Sequence, residues 1–193
     1  MRLTLDETSL ASLDALCGID ALCLFVAEDE RPLRGLAGYA DWRLGGALSN
    51  ILRSRHFIGA PGDCLLFPVG HGVRVQRAFC FGLGPRQAFQ PEQSLGALLQ
   101  SAMAVLGKAG CRSFAMELPC VTDDGVERAG ALFVEAGLGS FAGDELILLD
   151  RDPRSMSRAL QKSAPALERL RVALDDRVGQ SIVDLKKGAS RGR

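Results

Sequence analysis

The sequence predicts an α/β fold built on a mostly parallel sheet with helices on both faces. Three observations predict it. Short, nearly continuous apolar runs such as Asp20-Ala-Leu-Cys-Leu-Phe-Val-Ala27 suit strands buried on both faces. These runs alternate with segments whose apolar residues recur at helical spacing. The 193 residues are 47% hydrophobic and 24% charged, enough for a sizeable core and too apolar for a disordered chain. A length of this order fits one domain with an appendage or two very small domains.

The first strand, Asp20–Ala27, is ended by Glu28-Asp29-Glu30 and Pro32. Trp42, Leu44, Leu48, Ile51 and Leu52 then predict an amphipathic helix over 39–54, weakened at Gly45-Gly46. Strands at Cys64–Val69 and Val73–Phe81, joined through Gly70-His71-Gly72, predict an antiparallel hairpin, and the second runs into Gly82-Leu83-Gly84-Pro85. Pro91-Glu92 opens a helix carrying Leu95, Leu98, Leu99, Met103 and Leu106, closed at Gly107 or Gly110. Ser113–Leu118 is a strand stopped by Pro119. Asp123 or Asp124 caps a helix carrying Val126, Ala129, Leu132, Phe133 and Ala136, which ends at Gly137. Glu145–Leu149 is the last strand. No internal repeat is visible.

Composition narrows the class further. The longest uncharged stretches fall well short of the ~20 apolar residues of a membrane span. Asp6 and Glu7 sit where a secretory signal would need an apolar run, so the expectation is a cytoplasmic protein without membrane contact. The six cysteines, at 17, 23, 64, 80, 111 and 120, include no Cys-x-x-Cys pair and mostly lie in apolar runs, as reduced core residues do. The net charge of zero hides an asymmetry. Residues 1–150 hold 12 Lys/Arg against 18 Asp/Glu, whereas residues 151–193 hold 11 against 5. That change divides the chain into a body, 1–150, and an extension, 151–193.

The extension predicts a helix. Ser163 can cap it, Pro165 is tolerated in its first turn, and Leu167, Leu170, Leu174, Val178, Ile182 and Leu185 follow at steps of three and four. Such a stripe packs either on the chain's own core or on a partner protein or second subunit. Lys186-Lys187-Gly-Ala-Ser-Arg-Gly-Arg193 reads as a disordered basic end.

Three segments carry a resemblance: Asp20–Ala27, Arg77-Ala-Phe-Cys-Phe-Gly-Leu-Gly84 and Phe133-Val-Glu-Ala-Gly-Leu-Gly-Ser-Phe141. In this order and spacing, across about residues 15–150, the chain resembles the N-terminal domain of the leucyl aminopeptidase family. Ala136 stands where the family has a glycine, Phe141 where it has tyrosine, and the spacing between them is shortened. The resemblance implies a macro-domain-like three-layer α/β/α sandwich with a mixed, mostly parallel sheet. It also implies a non-catalytic role, because in the family a C-terminal domain carries two metal ions, held by Asp, Glu and Lys side chains, and a catalytic Arg within an Asn-Thr-Asp-Ala-Glu-Gly-Arg motif. Here the one asparagine, Asn50, leads to no acidic cluster.

The residues offer little catalytic chemistry of their own. The pairs Asp123-Asp124 and Asp175-Asp176 are sequence neighbours that point in different directions, so no metal site is expected. His71 has no nucleophile motif beside it and reads as a turn residue, and His56 reads as a solvated helix end. No cofactor is expected. A nucleotide such as ADP-ribose is the alternative ligand. Asp20 would take an adenine, as the macro-domain likeness implies, and the backbone of Gly82 and Gly84 would approach a phosphate at a strand's carboxyl end. A tight turn is the simpler reading of those glycines, since no longer phosphate-loop signature accompanies them. A regulatory DNA-associated role, which some full-length family members have, is disfavoured by the acidic body and the lack of a helix-turn-helix pattern. The leading expectation is a catalytically inactive interaction or assembly module.

Overall fold

The continuous apolar runs become the centre of a seven-stranded sheet in the computed structural model, which describes residues 1–70, 72–119 and 125–176. Its strands are β1 (Arg2–Glu7), β2 (Ala21–Ala27), β3 (Cys64–Pro68), β4 (Arg77–Gly84), β5 (Ser113–Glu117), β6 (Glu145–Asp150) and β7 (Ala173–Asp176). Across the sheet they lie in the order β3-β4-β2-β5-β6-β1-β7. β3 and β4 form the expected antiparallel pair, and the other neighbours run parallel. β2 and β4 are buried nearly throughout because helices cover both of their faces.

One face carries α1 (Leu10–Ala15), α2 (Gly35–Arg43) and α3 (Ala47–Arg53), whose Leu13, Leu36 and Leu48 pack with Leu22, Leu24 and Cys80. The other carries α4 (Pro91–Lys108), α5 (Val126–Leu132), a π-helical turn (Phe133–Gly137), α6 (Pro153–Lys162) and α7 (Ala164–Arg169). From that side Leu95, Leu99, Phe133, Met156 and Leu160 meet Leu3, Leu5, Phe79 and Phe114. The result is the mixed, mostly parallel α/β/α sandwich expected. No described helix is long and apolar enough to cross a membrane.

Several boundaries differ from expectation for physical reasons. The helix predicted over 39–54 is two helices, because Gly45 and Gly46 both adopt left-handed backbone between them. The hairpin's second strand begins at Arg77 instead of Val73, and Val73 and Val75 are buried within the connection. β1 and α1 were not predicted. Pro91 does open α4, which runs to Lys108. His71, Cys120, Asp123 and Asp124, with the cap and carboxylate pair assigned to the last two, lie outside the described residues.

The largest correction concerns the extension. Asp152 caps α6 by accepting from the Ser155 N–H at 3.1 Å, so the extension turns helical before the cap expected at Ser163. The leucine stripe from 167 to 185 is not one helix. α7 closes as Val172 N–H donates to Leu167 O and Arg171 takes a left-handed φ of 57°. The chain then extends, and β7 pairs parallel with β1, placing Leu174 opposite Leu3. Steps of three and four fit a helix, but pairing with β1 satisfies a strand edge that would otherwise keep bare backbone groups. Leu167 is a core residue and Leu170 packs against the same core. Val178, Ile182 and Leu185 lie outside the described residues, as does the basic end.

Candidate functional site

Parallel strands leave their carboxyl ends facing one side of the sheet, and a cleft of about 450 Å³ opens there. Phe25 of β2, Leu83 of β4, Glu117 of β5 and Asp150 of β6 line it, with Arg34–Ala37 at the start of α2 and Arg151-Asp152 before α6. Leu118 and Val126 add apolar wall.

Glu117, at the end of β5, is a largely buried carboxylate of this cleft. Its Oε2 accepts from the Leu36 N–H at 2.6 Å and its Oε1 from the Thr8 hydroxyl at 3.2 Å. It therefore caps the positive end of α2, where nucleotide-binding folds seat a phosphate. The approach is close: a Cβ at Gly35 would lie 2.3 Å from Glu117 Oε2. Burial pushes the Glu117 carboxyl above its usual range, partly offset by the Leu36 and Thr8 hydrogen bonds and by the charge of Arg151. At the rim, Glu30 is ion-paired with Arg86 and lies 4.0 Å from Arg34. Nothing in the sequence singled out Glu117, since a lone Glu closing a strand ordinarily points to water.

The three residues named from the sequence as a nucleotide cleft do not come together. Asp20 lies at the opposite, amino end of the sheet. There its Oδ2 accepts the backbone N–H groups of Arg112 and Ser113 at 2.8 and 3.0 Å, while its own N–H donates to Ser113 Oγ at 3.0 Å. The Arg112 and Ser113 hydrogen bonds hold its carboxyl below the usual range against a modest burial penalty. Asp20 is a clip joining β2 to β5. Gly82 and Gly84 do sit at a carboxyl end, but their N–H groups donate to Asp63 O at 2.9 Å and Gly59 O at 2.8 Å. A Cβ on Gly82 would lie 2.0 Å from Ala60 O, so this glycine lets the 59–63 loop pack on β4.

Other candidates settle simply. His56 is exposed beside the C-terminal end of α3, with Nδ1 2.7 Å from Ser54 Oγ. Cys23, Cys80 and Cys111 are buried free thiols, and burial pushes the first two well up, whereas Cys17 and Cys64 are exposed. Among the described residues no group of His, Cys, Asp and Glu could hold a metal ion.

A second concavity, about 440 Å³, lies between α4 and the outer strand β3, where Cys64, Phe81, Leu98 and Val105 line it. The exposed large apolar side chains include Leu66 of β3, 52% exposed, and Trp42 of α2, 65% exposed and stacked under Arg43.

Comparison with known proteins follows the fold. The family model described as "Cytosol aminopeptidase family, N-terminal domain" matches residues 22–146. Among solved structures, a mutant tomato leucine aminopeptidase matches with a TM-score of 0.57 and 20% identity, over 82% of this chain and 35% of that one. The chain thus spans about a third of that enzyme's length. The macrodomain of Thermus aquaticus DarG matches with a TM-score of 0.54 and 14% identity, over 77% of this chain and 97% of that one. The macro domain of ganglioside induced differentiation associated protein 2 matches at 0.55 and 12%, over 82% of each chain. At these identities the structures establish a shared fold. No curated protein matches in sequence.

Proposed function

The chain belongs to the cytosol aminopeptidase family, as an N-terminal domain of it, and from that membership we propose that it acts without chemistry of its own, as a module of protein assembly that pairs with a second copy of itself. The observation that carries this reading is the outer strand β3. Among the described residues it is paired on one side only, by β4, and its sequence Cys-Leu-Leu-Phe-Pro holds no charged side chain. Natural sheets usually guard such edges with charge, a bulge or a covering element, because bare strand edges template pairing. Here the strand is short and closes at Pro68, yet Leu66 in its middle is exposed, and the apolar groove against α4 begins at Cys64 of the same strand. An isologous contact, β3 against β3 across a two-fold axis, is the simplest closed use of such an edge. We take β3 as the contact because Leu167, first residue of the stripe expected to face a partner, is already in the chain's own core.

The cleft supports a second reading, in which a nucleotide such as ADP-ribose binds at the carboxyl ends of the strands. Against it, the Gly82 and Gly84 N–H groups are engaged, the Leu36 N–H of α2 is capped by Glu117, and Asp20 faces the other way. A role on DNA draws no support from the described surface, since the basic end that suggested it lies beyond residue 176.

Size-exclusion chromatography with light scattering on the whole chain tests the assembly. A dimer is expected, and Leu66→Lys should yield a monomer whose stability is unchanged within about 0.5 kcal/mol, as for other surface substitutions. A wild-type monomer, or a Leu66→Lys protein that still dimerises, overturns the β3 contact.

A further inference from the structure

We infer that this chain's own extension, residues 177–187, folds back over the cleft at the carboxyl ends of β2, β5 and β6, with Ile182 and Leu185 on its apolar wall and Lys186-Lys187 among its carboxylates. The extension is thus an internal strap that covers the cleft. This goes beyond the assembly reading and does not depend on it.

Chain direction and reach select this place. β7 runs parallel to β1, and β1 to β6, so the chain leaves Asp176 at the same end of the sheet at which the cleft opens. Asp176 lies opposite Leu5, and Leu5 opposite Leu148, two residues before Asp150 of the cleft. Strand spacing and rise therefore put Asp176 about 12 Å from Asp150 and about 15 Å from Glu117. The six residues that lead from Asp176 to Ile182 span up to about 20 Å when extended. The groove between α4 and β3 is farther away. Its strand β4 lies five strand spacings from β7, about 24 Å, so Ile182 does not reach it.

Charge and polarity agree with that reach. From Arg177 to Arg193 the chain holds five Lys/Arg and one Asp. Four carboxylates line the cleft, Glu30, Glu117, Asp150 and Asp152, against three guanidinium groups. One of the three, Arg86, is already ion-paired with Glu30. The hydrogen bonds that Glu117 and Asp152 accept come from uncharged donors, the N–H groups of Leu36 and Ser155 and the Thr8 hydroxyl. A lysine ammonium adds charge-assisted hydrogen bonds that those donors do not supply. Asp184, between Ile182 and Leu185, offers the exposed Arg34 and Arg151 a partner. Leu83, Leu118 and Val126 give the cleft an apolar wall, which aliphatic side chains of the strap take out of water.

Amide NMR spectra of the full chain, compared with a full-length variant carrying Ile182→Glu, Lys186→Glu and Lys187→Glu, test the strap. The three positions follow β7 and belong to neither core, so the variant leaves the packed sandwich as it is. Release of the strap is expected to shift the amides of Leu36, Leu83, Leu118 and Val126 and to leave Leu98 and Val105, in the groove beside α4, where they were. The shifts should persist on dilution, as contacts within one chain do. Identical cleft amides in the two proteins overturn the inference. So do shifts confined to the groove, or shifts that vanish on dilution, which would place the extension on another copy of the chain.

Discussion

β5 is held at its two ends by two carboxylates in opposite circumstances. At its amino end Asp20 is reached by two backbone N–H groups, and its proton affinity is lowered. At its carboxyl end Glu117 is drawn into the fold, and its proton affinity is raised by burial. Asp20 makes the fold firmer by being charged, whereas burial disfavours the charged form of Glu117. A carboxylate that a fold keeps buried beside an open cleft is a better candidate for function than one whose bonds are complete. The same element shows which end of a parallel sheet is closed and which is available.

The comparison can be broken most forcefully at Gly82 of β4, next to Leu83 of the cleft. If Gly82 serves packing and not a ligand, Gly82→Ala drives a methyl group into Ala60 O and destabilises the protein by about 3 kcal/mol or more. A melt with and without ADP-ribose checks this: a normal Tm in the variant would return the turn to the list of ligand sites. At the amino end, Asp20→Ala leaves the Arg112 and Ser113 N–H groups without their acceptor and should cost about 1–3 kcal/mol in urea unfolding. An unchanged midpoint would mean that water replaces the clip fully.

The smallest effect is the most discriminating, because the two carboxylates must respond to pH with opposite signs. Asp20 binds its proton less readily when folded, so its contribution is complete above its usual value of 3.8 and fades as pH falls through the lower, folded value. Glu117 binds its proton more readily when folded, so the native state gains stability as pH falls from its raised value toward 4.5. Urea midpoints from neutral pH down to about pH 4 should therefore show a gain of up to roughly 1 kcal/mol per unit of pH from Glu117. Glu117→Gln should remove that gain and Asp20→Asn should leave it intact. The reverse pattern would invert the assignment of the two ends.

What the sequence disclosed follows from how locally each feature is encoded. β2, β4 and β5 are legible because burial on both faces demands an unbroken apolar run. α4 is legible because Pro91 opens a long amphipathic repeat. β1 is not, since Arg2-Leu-Thr-Leu-Asp-Glu is short and charged at its ends, and its partner strand β6 begins at Glu145. The step from Leu170 to Leu174 fits a helix as well as it fits a turn into a strand, and only the bare side of β1 decides between them. For the site the reason is similar. An Asp before a strand and a Gly-x-Gly at a strand's end are visible in one dimension. Glu117 acquires its meaning from Leu36 and Thr8, which meet it only in the folded chain.

The position of β1 has a consequence for how the protein is made. It leaves the ribosome before the other described strands, yet both strands it pairs with come at the far end of the described chain: β6 about 140 residues later, and β7 after that. Until then Leu3 and Leu5, which end fully buried, have no sheet to join. Contacts of such long sequence separation form slowly. The emerging chain must therefore complete β2, β4 and β5 first and hold β1 in waiting. A bulky fusion at Met1, whose amino group reaches Arg171 O, would interfere with that last docking step more than with anything built before it.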